Sequence, residues 1–117
     1  MDPDAIRERA TAMCDALVAG DVELATRDFS PELQRNLGEV LSLLPLPASE
    51  AAVESVERGG SSLVVVLRIV GETDEATIQT RWKDRDGRPM VVEASHLSRT
   101  ARAVEAAEVE AGEDATA

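Results

Sequence analysis

Leu44-Pro45-Leu46-Pro47 divides this chain into two halves with different apolar periodicities. Residues 3 to 44 carry apolar side chains at helical spacing, whereas residues 51 to 97 form short runs separated by tight turns. Helices followed by strands are typical of an α+β domain, in which helices lie on one face of a mostly antiparallel sheet. We therefore expect three N-terminal helices packed on a curved sheet of four strands.

Three start signals define the expected helices. Asp2-Pro3-Asp4 places a capping carboxylate before proline, Gly20-Asp21 ends the first helix and caps a second, and Ser30-Pro31-Glu32 starts a third. The third helix is predicted to continue to Leu44, because its apolar stripe ends only at Pro45. The apolar residues at helical spacing are Ile6, Ala10, Met13, Leu17, Val22, Ala25, Phe29, Leu33, Leu37, Val40, Leu41 and Leu44.

The strands of the second half are separated by glycine-rich turns. Leu63 to Val70 is apolar and β-branched, and Ala76 to Trp82 alternates with polar residues. Asp84-Arg85-Asp86-Gly87 predicts a hairpin turn before a returning strand, and Ala51 to Glu57 is a weaker strand candidate.

Loop length sets the expected strand register. A two-residue hairpin loop would place Glu93 on the apolar face, so we favour a three-residue loop, Arg85 to Gly87. The pairs are then Trp82 with Met90, Thr80 with Val92 and Ile78 with Ala94. A loop from Glu72 to Glu75 likewise pairs Ile69 with Ile78, Leu67 with Thr80 and Val65 with Trp82.

This register predicts two functional faces. The inner face is a candidate apolar ligand pocket lined by Ile78, Thr80, Trp82, Met90, Val92, Ala94 and His96. The outer face is more apolar than a solvated sheet face, and its candidate contact residues are Val64, Val66, Val70, Val91 and Leu97. A second copy of the same sheet is the simplest cover, so we expect a homodimer. Strong curvature with scattered surface valines is the alternative.

Composition excludes several classes of partner. The net charge of −11 argues against nucleic acid and against anionic membrane surfaces, and 2% aromatic residues provide little stacking surface. The single cysteine, Cys14, excludes an intramolecular disulfide and a multi-thiolate metal site. Asp84 and Asp86 lack the other oxygen ligands of a calcium loop, so we expect a plain turn, no metal and no cofactor.

The two ends of the chain give further expectations. No basic stretch followed by an apolar run opens the sequence, so we expect a cytoplasmic protein without a membrane span. We expect one domain over residues 1–99. Residues 100–117 form an acidic tail rich in alanine and glutamate, expected to be partly disordered.

The first half resembles the opening of nuclear-transport-factor-2-like (cystatin-like α+β) domains. The resemblance rests on Ala16-Leu17-Val18-Ala19-Gly20-Asp21-Val22-Glu23 and Phe29-Ser30-Pro31-Glu32-Leu33, continued by the strands that end in Trp82 and Asp86-Gly87-Arg88. It covers roughly residues 4 to 98 and is nearest to small bacterial members of unknown function. The resemblance implies a cone-shaped sheet around an apolar pocket, with dimers through the sheet common in the superfamily.

Two functions from different classes remain open at this point. The first is a non-catalytic module that binds a small apolar ligand or a protein and self-associates through the outer sheet face. The second is an enzyme of the isomerase, dehydratase or cyclase type. The resemblance implies this alternative, because some members of the superfamily are enzymes of these types. His96 is its candidate acid-base residue, and a structural role at the rim of the sheet is the alternative for this histidine. The first function is favoured because strand alternation sends the nearest carboxylate, Glu93, to the other face.

Overall fold

The computed structural model describes residues 2–101 as four helices followed by four strands. The helices are α1 (Pro3–Ala19), α2 (Val22–Ala25), α3 (Pro31–Arg35) and α4 (Leu37–Ser42). The strands are β1 (Glu50–Gly59), β2 (Ser62–Val70), β3 (Asp74–Arg85) and β4 (Arg88–Ala101), and they form an antiparallel sheet in the order β1-β2-β3-β4. The α+β class is therefore confirmed. The predicted tail beyond Ala101 lies outside the described residues.

The ends of α1 follow from local sequence. The Asp2 carboxylate accepts a hydrogen bond from the Asp4 backbone N–H at 3.1 Å, and Pro3 begins the helix. Gly20 adopts a left-handed φ of 79°, and the N–H of Asp21 donates to the Ala16 carbonyl at 2.9 Å. Together with the Gly20 N–H, this bond satisfies the last carbonyls of α1 in a Schellman motif.

The predicted third helix is wrong in one respect, because it is divided at Asn36 into α3 and α4. The Asn36 side chain donates to the Glu32 carbonyl, and its backbone N–H bonds the Leu33 carbonyl instead of Glu32. A side chain that competes for the backbone in this way interrupts a helix. The second, short helix has its predicted caps, since Asp21 accepts from the Leu24 N–H.

The core lies between α1 and the inner face of the sheet. The side chains of α1 at helical spacing pack against alternate residues of β2 and β3, as the two periodicities require. The buried apolar members of this core that carry the sheet contacts are Ile6, Ala10, Met13, Leu17, Leu63, Val65, Leu67, Ile69, Ala76, Ile78, Trp82 and Val91.

The predicted register of the last hairpin is wrong. The loop has two residues, Asp86 and Gly87, whose φ values of 56° and 78° form the turn type that matches the twist of paired strands. Trp82 consequently pairs with Val91 rather than with Met90.

A bulge at Val92 explains why the two-residue loop does not place Glu93 on the apolar face. Trp82 pairs with Val91, but Arg81 pairs with Glu93, so Val92 is an extra residue of β4. The extra residue returns the Glu93 carboxylate to the outer face, where it lies 3.2 Å from the Arg81 guanidinium. The prediction failed because it assumed an unbroken alternation along β4.

The predicted pairing of β2 with β3 is wrong by two residues. Gly71 to Thr73 connect the two strands and Val70 pairs with Glu75, so Ile69 pairs with Ala76 and Leu67 with Ile78. Because side chains alternate with a period of two, this shift leaves every side chain on its predicted face. The weaker candidate, β1, is confirmed and extends over Glu50–Gly59.

The outer edge of β4 is covered where the strand begins. Phe29 forms a parallel bridge with Val91, with the Ser30 N–H donating to the Val91 carbonyl at 2.9 Å. The Val91 N–H donates in turn to the Asp28 carbonyl at 2.8 Å. The segment between α2 and α3 thereby closes the side of the core next to Val91, which is completely buried.

The Leu44 to Pro47 junction lies against the β2–β3 loop. Gly71 approaches Pro45 so closely that a Cβ at Gly71 would lie 2.7 Å from the Pro45 carbonyl oxygen. The Leu46–Pro47 peptide bond is cis, and the Ser49 N–H donates to the Val70 carbonyl at 2.7 Å. The junction therefore leads from α4 to the far end of the sheet, where β1 begins.

Candidate binding surfaces

The interior between the helices and the sheet is nearly filled. A cavity of about 20 Å³ remains there, lined mainly by apolar side chains that include Met13, Leu41, Leu67 and Ala94. A volume of this size holds about one water molecule, whereas pockets for small ligands measure roughly 300–1,000 Å³. The described structure has no room for an apolar ligand at this position.

Thr80 and Trp82 form a buried polar pair inside this core. The indole Nε1–H of Trp82 donates to the Thr80 hydroxyl at 3.1 Å, and that hydroxyl donates to the Val65 carbonyl at 2.8 Å. All three residues are buried, with Trp82 fully inaccessible. The hydroxyl predicted to contact a ligand thus donates its only proton to the Val65 carbonyl and accepts from the indole.

The seven predicted pocket residues do not line one cavity. Ile78, Thr80 and Trp82 are buried on the inner face, and Ala94 is half-buried opposite Thr80. Met90 lies opposite Lys83 on the outer face, and Val92 is the bulge residue. Val91, which was expected on the outer face, occupies the inward position instead.

His96 lies near the end of β4, opposite Ile78, and is exposed. Its Nε2 is 2.5 Å from the Leu43 carbonyl oxygen, which can only accept, so Nε2 carries the proton and donates. Arg99 donates to the carbonyls of Ser42 and Leu43. These two side chains satisfy the last carbonyls of α4, which is a structural role.

The outer face contains an uncharged centre. Val66 of β2 lies between Ser55 of β1 and Gln79 of β3, and these three uncharged residues form the centre. Val64 lies in the next row, between Glu57 and Arg81, and both valines are half-buried. The other three predicted contact residues are placed differently. Val70 is buried at the strand end, Val91 faces the core, and Leu97 is 53% exposed at a second irregularity of β4.

Ion pairs frame this centre at both ends. Arg68 binds Glu75 through two nitrogens at 3.1 Å and approaches Glu50 to 3.8 Å. At the other end, Arg81 binds Glu93 at 3.2 Å and donates to the Ser62 hydroxyl at 2.8 Å. Both guanidinium groups are neutralised across strands of the same molecule, so the centre between them carries no unpaired cation.

A surface groove lies where α1 ends. It has a volume of about 520 Å³, and its apolar lining includes Leu17, Val18, Val22, Leu46 and Pro47. A smaller concavity of about 340 Å³ shares Val18 and adds the side chains of Asp15, Glu50 and Arg68. We define the two together as the α1-end groove.

Sequence reasoning missed this groove. Val22 was assigned to a buried face shared with Ala25, yet Val22 is 37% exposed and Ala25 is buried. The available signal was Val18, an apolar residue one position past the buried stripe of α1. The groove also needs Leu46, which is distant in sequence, so no local pattern predicts it.

Cys14 is buried in α1, and burial together with the nearby Asp15 charge raises its pKa from 9.0 to about 11. A thiol held neutral in this way is a poor nucleophile.

Within residues 2–101, His, Cys, Asp and Glu side chains form no group suited to a metal ion. None of the helices over the same residues has the length and apolar character needed to cross a membrane.

Comparisons with protein-family models, with curated proteins and with solved structures give no match for this chain.

Proposed function

We propose that this domain is a non-catalytic protein-interaction module that self-associates through the outer face of its sheet. The observation that carries the proposal is the uncharged centre of that face around Val66, with the half-buried Val64 beside it, framed by ion pairs that are already satisfied. An apolar centre with a polar rim is the usual anatomy of a protein interface.

The filled interior supports an interaction function over a small-ligand function. Small-molecule sites enclose most of the ligand surface, and the described core leaves about 20 Å³. Thr80 and His96, the polar groups expected to contact a ligand, both donate to backbone carbonyls. On the outer face, by contrast, Val64 and Val66 are only half-buried.

A dyad-related copy is the occupant that fits this face. Four strands about 4.8 Å apart, with nine residues of β2 at about 3.3 Å each, give a face of roughly 19 Å by 30 Å. This projected area of about 570 Å² is smaller than the roughly 800 Å² per partner that stable dimers bury, so we expect a weak dimer that uses the whole face. Each copy carries a charge of −11, so salt should strengthen the association.

Sedimentation across a concentration series tests this proposal on the full chain. Val66→Lys places a charge at the uncharged centre and is expected to yield a monomer at concentrations where the unmodified protein dimerises. Leu24→Lys is the matched control, because Leu24 is 43% exposed on α2, away from the sheet. A monomeric parent protein up to high micromolar concentration at high salt would contradict the proposal, as would a dimer insensitive to Val66→Lys.

Membership of the nuclear-transport-factor-2-like superfamily, with its cone-shaped sheet, is part of this proposal. Its support is the order of helices before an antiparallel sheet, together with bulges in β1 and β4 of the kind that bend a sheet. An enzymatic function is not proposed, since the only imidazole donates its Nε2 proton to the Leu43 carbonyl.

A further inference from the structure

The α1-end groove concentrates the accessible apolar surface of the described residues. Five large apolar side chains are exposed within residues 2–101, and three of them, Val18, Val22 and Leu46, line this one groove. Single exposed apolar residues are ordinary, whereas several in one concavity mark an interaction site. The groove lies at the end of α1 and is separate from the centre of the outer sheet face.

The rim of the groove is acidic. Asp15 and Glu50 line the part that adjoins Val18, and both are exposed. Arg68 lines the same part and lies between two carboxylates, 3.1 Å from Glu75 and 3.8 Å from Glu50, so these three side chains together keep a net negative charge. The last carbonyls of α1, a helix of 17 residues, add the negative end of the helix dipole at Gly20.

Two occupants from the chain itself are disfavoured by this charge. Residues 102–117 follow Ala101, which pairs with Asp74 at the end of β3. They carry five carboxylate side chains and one arginine, and would be repelled by the rim. A second copy seated on this groove by a dyad would bring the Asp15 and Glu50 carboxylates of both copies together, a local repulsion that does not arise at the centre of the outer sheet face.

We propose that the α1-end groove binds a short segment of a partner protein that inserts apolar side chains between Val18, Val22 and Leu46 and flanks them with lysine or arginine. The apolar lining supplies the contact area, and the carboxylates of Asp15 and Glu50 select the charge of the flanking residues.

Selection of a random-peptide library on the immobilised full chain tests the proposal, with fluorescence anisotropy of the enriched peptides as the readout. We expect enriched peptides with two or more apolar residues between basic ones. Val18→Ser and Leu46→Ser should each weaken their binding by about fivefold or more, as expected for a side chain at the centre of an interface. Asp15→Asn should weaken binding by about threefold at low ionic strength and have little effect at high salt.

Leu97→Ser is the matched control, because Leu97 is 53% exposed but lies on β4. The Leu97→Ser variant should bind the peptides with the affinity of the parent protein. Enrichment of acidic or uncharged peptides, no enrichment, or binding that survives Val18→Ser would overturn the proposal.

A second measurement tests whether residues 102–117 or a second copy of the chain, rather than a partner protein, occupies the groove. A nitroxide attached at Val18→Cys, in a chain with Cys14→Ala, should leave the resonances of Val104 and Val109 unbroadened. Broadening of these resonances would assign the groove to residues 102–117, and loss of the dimer in Val18→Ser would assign it to a second copy. Either result overturns the partner proposal, whereas a monomeric parent protein would contradict only the proposed self-association through the outer sheet face.

Discussion

Replacing Thr80 by valine tests whether its hydroxyl is structural or belongs to a ligand site. Valine keeps the shape of threonine but removes the acceptor for the Trp82 indole N–H and the donor to the Val65 carbonyl. A buried donor left without a partner costs about 1–3 kcal/mol, and the added methyl group returns less than about 1 kcal/mol. We therefore expect Thr80→Val to lower the free energy of unfolding by about 1.5 kcal/mol.

Urea unfolding followed by circular dichroism measures this difference, with an unchanged m-value as the sign that the unfolded state is unaltered. For a domain of about 100 residues, the melting temperature should fall by about 6 to 12 °C. Thr77→Val is the matched control, since Thr77 is half-buried on the outer side of the same strand. That change should alter stability by less than about 0.5 kcal/mol.

A double-mutant cycle isolates the indole bond. Phenylalanine has no N–H to satisfy, so Thr80→Val should cost about 1 kcal/mol less in a Trp82→Phe background than in the parent protein. A Thr80→Val variant as stable as the parent, or equal costs in the two backgrounds, would refute the structural role of the hydroxyl. Thr80 would then be available to a ligand after all.

Two further predictions concern Cys14 and Gly71. The pKa of the Cys14 thiol is near 9 in the unfolded chain and near 11 in the folded protein. The stability that the neutral thiol contributes to the fold is therefore fully present below pH 9 and is lost as the pH rises from 9 to 11. The stability difference between the parent and Cys14→Ala should shrink over that interval by up to about 2 kcal/mol in urea titrations. Gly71→Ala forces a Cβ against the Pro45 backbone and should destabilise by about 1–3 kcal/mol in thermal melts, whereas Gly38→Ala, in open space on α4, should stabilise. Equal melting temperatures for the two alanine variants would contradict this account of the junction.

Features that depend on neighbouring residues were predictable from sequence. The carboxylates of Asp2 and Asp21 and the hydroxyl of Ser30 cap the helices they precede, and Gly20 ends α1 with a positive φ. Each of these contacts spans at most four residues, so the local pattern contains all the information it needs. The alternating faces of β2 and β3 were predictable for the same reason, even though their pairing was displaced by two residues.

The register of β4 was not predictable, because it depends on contacts from outside the hairpin. Val91 exchanges two backbone hydrogen bonds with Asp28 and Ser30, more than 60 residues earlier in the chain. These bonds hold Val91 inward while the bulge at Val92 restores the alternation for Glu93. The sequence of the hairpin alone gives no reason to expect such a bulge. Without the bulge, a three-residue loop is the loop length that keeps Glu93 off the apolar face.

The same non-local contacts decide where function can lie. In the predicted register, Met90 and Val92 face inward and Val91 faces outward. Val91 would then not take the inward position beside Trp82 that it has in the structure. Pairing of Val91 with the segment before α3 closes the side of the core next to Val91, and the core shrinks to a cavity for one water molecule. A core that is closed at both the indole and the strand edge cannot exchange ligands without unfolding part of β4. The two proposals therefore place recognition at the surface, where the sheet face and the α1-end groove present apolar side chains that the core does not cover.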